Sequence, residues 1–187
     1  MYVKKLFLTT LLSLGLLHAQ SSIGLNINDE DIEVTASINL NALTYYSDST
    51  SYTLDASYLH TDGDDLVAVG VGAENTFQGL QGLALGLGIK SVFADDFIAI
   101  PFFVNAKYTL PLSYSIPTTS LITSLAYSPS VLTFSDGESY TEFRAEADME
   151  VITNVHLFAG YRNIDTDYER YDFNFNDSFY GGMKLSF

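Results

Sequence analysis

The chain has 187 residues, no cysteine, and 23 acidic against 8 basic side chains, for a net charge of −15. Such an acid excess excludes nucleic acid as a partner and leaves no polybasic patch for anionic lipid. The absence of thiols excludes disulfides, thiol chemistry and a lipid-anchored cysteine.

The N-terminus reads as an export signal. Residues 1–5 carry Lys4 and Lys5, residues 6–17 form an apolar run, and Leu17-His18-Ala19 ends on a small residue suited to cleavage. Twelve apolar-rich residues are too few to span a bilayer as a helix. The expected domains are therefore a cleaved signal peptide at 1–19 and one domain at 20–187. The mature chain keeps six basic and 23 acidic residues, a net charge of −17.

From there the pattern has period two. Strands are expected at 23–28, 32–43, 51–60, 66–77, 83–93, 98–109, 119–127, 139–151, 155–164 and 178–187. Several run about 10 residues, the length of a tilted strand that crosses hydrocarbon. Gly63, Gly79, Gly82, Pro111, Pro117, Pro129 and Gly137 fall between them, where turns belong. Pro101 falls inside a strand and must mark a bulge or an extension above the membrane. In 119–127 the alternation weakens, with Thr123 outward and Ile122 inward.

Twelve charges fall inside these strands, all on one side of the alternation: Glu33, Asp55, Glu74, Lys90, Lys107, Glu142, Arg144, Glu146, Asp148, Glu150, Arg162 and Lys184. The opposite face tolerates no charge, as a lipid-facing surface demands. The fold class is thus all-β: a transmembrane up-and-down antiparallel β-barrel. Parity favours ten strands, with eight as the alternative if part of the N-terminus packs elsewhere. A soluble barrel would spread lysine over its outer face, whereas here the strand cations are sparse and interleaved with glycine and alanine. Tyr45, Tyr46, Tyr52, Phe93, Phe97, Tyr108, Tyr127 and Phe179 lie near strand ends and suit interfacial girdles.

The last strand places Phe179, Gly181, Met183, Leu185 and Phe187 at alternate outward positions. It resembles the C-terminal signal read by the outer-membrane barrel insertion machinery, with Gly182, Leu185 and Phe187 as the assembly residues. The stretch Tyr58-Leu59-His60-Thr61-Asp62-Gly63-Asp64-Asp65 resembles the YfaZ family of small outer-membrane proteins. So do Tyr127-Ser128-Pro129-Ser130 through Phe134-Ser135-Asp136, Tyr140-Thr141-Glu142-Phe143-Arg144, and Phe158-Ala159-Gly160-Tyr161-Arg162-Asn163-Ile164. The likeness covers most of the mature chain and is strongest from Tyr127 to Ile164. It implies a small barrel in the outer membrane of a Gram-negative bacterium and carries no catalytic role across.

The residues themselves point to no enzyme, cofactor or metal. His60 and His156 are expected at opposite rims, too far apart to share an ion. A rim hydrolase would need His60 with Asp62, Asp64 or Asp65. The same acids lack the spaced ligands and closing glutamate of a calcium loop. On the inner face, Glu142, Glu146, Asp148 and Glu150 are spaced along one strand to meet Lys90, Lys107, Arg144, Arg162 or Lys184 across the barrel. The expected function is a passive structural or surface-interaction barrel with an ion-paired lumen, and a narrow cation-preferring channel is the alternative.

Fifteen acids are expected in the exposed loops: Asp29, Glu30, Asp31, Asp62, Asp64, Asp65, Asp95, Asp96, Asp136, Glu138, Asp165, Asp167, Glu169, Asp172 and Asp177. Besides the insertion machinery, the expected partners are membrane lipid and lipopolysaccharide, whose phosphates divalent cations would bridge to these carboxylates.

Overall fold

Strands in hydrocarbon must pair on both edges, because an unpaired backbone group there has no water to bond. The computed structural model meets that demand with a closed antiparallel ring. It describes residues 21–43, 50–113, 116–168 and 171–187. The expected signal peptide, Tyr45, Tyr46 and Glu169 lie outside the described residues.

Ten strands form the ring: β1 (Ser22–Ile27), β2 (Asp31–Asn39), β3 (Thr50–Thr61), β4 (Asp64–Thr76), β5 (Leu83–Ala94), β7 (Phe102–Thr109), β8 (Thr119–Ser128), β10 (Gly137–Ile152), β11 (Val155–Tyr168) and β12 (Tyr171–Ser186). Each pairs with the next in this order, and β12 returns to β1. Two short strands, β6 (Phe97–Ala99) and β9 (Thr133–Ser135), pair with each other, and β6 also pairs with the end of β5. Ser21 and Phe187 lie together at one end of the barrel, here called the terminal end, and the tight hairpins after β3 and β5 lie at the far end.

The short N-terminal segment is therefore a ring member, and the count is ten. Ser22 through Ile27 pair with both β12 and β2. The seam is extended by Ser21 and Phe187, each donating its N–H to the other's carbonyl at 3.1 and 2.9 Å. Outward side chains are apolar and exposed, Leu87 at 66% and Phe102 at 60%. A soluble fold hides such residues, whereas lipid covers them here. Thr123 does face outward, and its hydroxyl donates to the Arg144 carbonyl at 3.2 Å, so it presents no free donor to lipid.

The expected strand at 98–109 is divided at Ile100-Pro101. The ring lacks Pro101's donor, so β6 splits from β7 there and turns to β9, a strand the alternation does not reveal because it has three residues. The strand expected over 32–43 ends at Asn39 and continues as a 3-10 turn at Leu40–Leu43. At the other extreme, β10, β11 and β12 run 16, 14 and 16 residues, well past the bilayer requirement, and β11–β12 carry a register shift at Ile164/Asp165.

Several glycines let side chains cross the inner wall, Gly88 and Gly182 among them. A Cβ on Gly88 would collide with the Phe103 ring and the Val71 carbonyl. At Gly182 it would strike the Leu25 carbonyl and the Phe158 ring, beside the seam. Gly182→Val should therefore cost about 1–3 kcal/mol by overpacking, read as a lower urea midpoint of the refolded barrel. Deleting Phe187 removes the two terminal seam bonds, and fractionation should then show impaired outer-membrane insertion with export intact. Unchanged amounts of shortened protein in the outer membrane would contradict that.

Candidate functional site in the barrel interior

The interior has three levels. Toward the far end a cluster of apolar inward side chains packs tightly, with buried Thr61, Ser128 and Thr166 around it. Leu59, Val92, Phe97, Ala99, Tyr140 and Ile164 all have zero exposure, and Leu66, Ala68, Ala126 and Phe175 complete the cluster. Phe97 reaches it because β6 bends inward after the Pro101 break, and its ring lies 5.4 Å from Tyr168 and 6.2 Å from Tyr140. The girdle role expected for Phe97 is thus corrected. Phe93, Tyr127 and Phe179 do face outward and are exposed.

Below this plug lies a charged layer built on Glu33, which is 1% exposed. Arg144 donates both terminal nitrogens to the two Glu33 oxygens at 2.8 Å each. Arg162, with zero exposure, adds a bond to Glu33 Oε2 at 2.7 Å, and Asn26 donates to the same oxygen at 2.6 Å. Glu142 accepts from Lys90, from Arg144 Nε and from the Tyr140 hydroxyl. Planar guanidinium forks suit such bidentate pairing, and each buried carboxylate has at least two charge-assisted donors.

Asp31 belongs to this layer and not to a loop, which corrects its expected place. It is the first residue of β2, two positions before Glu33 and on the same face, and is only 3% exposed. Its Oδ2 accepts from Arg162 at 3.1 Å and from Asn176, Ser178 and Asn28 at 2.7–2.8 Å. The face periodicity points to Asp31, but a segment begun at residue 32 excludes it. Likewise Asp165, Asp167, Asp172 and Asp177 are strand residues, because β11 and β12 extend beyond their expected limits.

Near the terminal end, Lys184 donates to Asp148 at 2.6 Å and His156 Nδ1 lies 2.8 Å from the other oxygen of that carboxylate. The structure thus brings Glu33, Lys90, Glu142, Arg144, Asp148, Arg162 and Lys184 into ion pairs. Among the described residues it gives no ionic partner to Asp55, Glu74, Lys107, Glu146 or Glu150. Glu146 accepts from the Tyr180 hydroxyl at 3.1 Å, and Glu150 caps the β10–β11 turn through the Asn154 N–H at 3.0 Å.

The third level is open space. A cavity of about 460 Å³ lies against the charged layer, bounded there by Glu33, Lys90, Glu142 and Arg144, and reaches the terminal-end residues Ser22, Ser37 and Ser51. A second cavity of about 440 Å³ lies at the far end, lined by Asp64, Asp95, Asp96, Asp136 and the stacked Tyr168 and Tyr171. The two share no lining residue, and the apolar plug lies between them.

At the far rim, His60 Nδ1 lies 2.8 Å from Asp65 Oδ1, which also accepts from the Tyr58 hydroxyl at 2.7 Å. His60 and His156 belong to opposite ends. Among the described residues no group of three or more His, Cys, Asp or Glu is placed to hold a metal ion.

A family model described as "YfaZ precursor" matches residues 3–187. The chain belongs to the YfaZ family. Among curated proteins none matches it. Among solved structures that share its fold, two reach TM-score 0.51. One is a KdgM porin in complex with disordered oligogalacturonate, with TM-score 0.51, 11% identity, and coverage of 90% of this chain and 99% of that one. The other is a bacterial polysaccharide outer membrane secretin, also at TM-score 0.51 and 11% identity, with 89% and 69% covered. At that identity the likeness establishes the porin-like barrel and nothing of the lumen's contents.

Replacing Glu33 by Ala leaves Arg144 and Arg162 facing each other with one carboxylate fewer. Breaking a buried pair in this way costs about 3–5 kcal/mol. The urea midpoint of the E33A barrel should fall accordingly, and E33Q should fall less because it retains hydrogen-bond acceptance. Equal midpoints for wild type and E33A would mean that water, and not Glu33, compensates the two arginines.

Proposed function

We propose that this YfaZ-family barrel sits in the outer membrane with its termini in the periplasm and acts as a closed structural and surface-interaction barrel. The observation that supports this reading is the apolar plug of fully buried side chains separating the two cavities. Ions do not cross such a segment without desolvation, which costs several kcal/mol per charge even after relaxation. A ten-strand ring is only modestly wider than an eight-strand ring whose side chains fill it, so large inward residues suffice to close it. In this orientation the far rim presents Asp64, Asp95, Asp96 and Asp136 at the cell surface, where divalent cations would bridge them to lipopolysaccharide phosphates. Reaction chemistry plays no part in this reading.

A narrow cation-preferring channel is the second reading. It is favoured by the uncompensated Asp55 and Glu74 in the terminal-end cavity, and it requires the plug to move. Planar-bilayer recording of the refolded barrel separates the two. A silent wild type is expected of the closed barrel and a small, cation-preferring conductance of the channel, and Phe97→Gly combined with Tyr140→Ala should raise the conductance. A large, stable, anion-selective pore in wild type would overturn both readings.

A further inference from the structure

We propose that the terminal-end cavity binds a linear diamine or polyamine, with ammonium groups at Asp55 and Glu74 and the alkyl segment on the Phe103 ring. Its size suits a small ligand, since pockets of about 300–1,000 Å³ enclose small organic molecules. Every inner-end acid of this cavity already has a cation: Glu33 has Arg144 and Arg162, and Glu142 has Lys90 and Arg144. Among the described residues Asp55 and Glu74 have none. Asp55 accepts from the Thr53 hydroxyl at 2.7 Å and Glu74 from Asn105 Nδ2 at 3.5 Å, both neutral donors. Two carboxylates in a half-enclosed space, with only neutral partners, select positive charge.

The register sets the spacing. Asp55 pairs across from Gly70, Thr53 from Gly72, and Ser51 from Glu74. The two acid-bearing levels are thus four residues apart on β4, about 13 Å at ~3.3 Å per residue. Gly72 lies midway between them, and a Cβ there would come within 3.1 Å of the Phe103 ring. The ring, extending from β7 across Gly88, therefore occupies the wall at the level between the two acids. Carboxylate, aromatic face, carboxylate in that order is the complement of ammonium, methylene chain, ammonium. A ring face attracts both the methylenes and the adjacent charge. A divalent metal would instead need converging oxygens, and these two acids sit at separate levels.

This inference rests on the closed-barrel reading only in that the ligand enters and leaves by the terminal end. The test uses the full mature chain refolded in detergent micelles, titrated calorimetrically with spermidine, with α,ω-diaminoalkanes of increasing length, and with the matching monoamines. Saturable 1:1 binding is expected, with a length optimum and with monoamines at least about tenfold weaker because one carboxylate stays unpaired. D55N and E74Q should each lose about tenfold, and F103L should lose affinity without changing stoichiometry. The chain-length series needs no variant and stands even if a substitution impairs folding.

Absence of saturable binding would overturn the proposal. So would equal affinity in wild type and the D55N/E74Q double variant, or tighter binding of Mg²⁺ than of any diamine. Bilayer recording on the same preparation keeps the two readings apart. A conducting barrel that binds diamine overturns only closure, and a silent barrel that does not bind overturns only the ligand.

Discussion

Every other property of this molecule depends on closing a ring of backbone hydrogen bonds in a solvent that offers none. A sheet edge in hydrocarbon leaves a row of unpaired N–H and C=O groups, each costing several kcal/mol. The chain meets this with a first strand of only six residues, β1, held between β12 and β2. Because that strand is short, the seam draws on Ser21 and Phe187 beyond its formal ends, and on the absence of a side chain at Gly182.

Closure then turns the solvent logic inside out. Apolar side chains gain nothing by facing inward when lipid lies outside, so the inner face is free to hold charge. Charge in a narrow lumen still needs partners, since removing one member of a buried pair costs more than most pairs contribute. The charged layer shows how that is arranged: Glu33 is shared by two arginines, Arg162 is shared by Glu33 and Asp31, and Arg144 links Glu33 to Glu142. Cations also lie over rings, Arg162 at 5.4 Å from Tyr180 and Lys184 at 5.9 Å from Phe158. Toward the far end, where β10–β12 run on, Leu59, Phe97, Tyr140 and Ile164 pack with zero exposure, as in the interior of a soluble protein.

Strand sidedness was legible because it is a local property. Period-two alternation places Glu142, Arg144, Glu146 and Asp148 on one face regardless of what the rest of the chain does. Segment limits were less legible. Asp31 continues the inward face of β2, and Asn176 that of β12, but both lie beyond the apolar residues that mark a strand, so the pattern ends before the strand does. Pro101 announced an interruption correctly. Where the interrupted segment would go was not written locally, because β6 finds its place by pairing with a three-residue strand more than thirty positions later.

By itself the sequence determined the class, the ring's inward and outward faces, and the positions where charge had to be housed, since each follows from neighbours a few residues apart. The tertiary structure alone decided which charges meet. Arg144 and Glu33 are 111 residues apart and Arg162 and Asp31 131, distances that only the closed ring's register can bridge. It also decided that Phe97 packs into the interior cluster and does not face lipid, and that Asp55 and Glu74 have no cation among the described residues. A side chain's partner across a barrel is set by strand number, stagger and closure together, and no local pattern encodes those three.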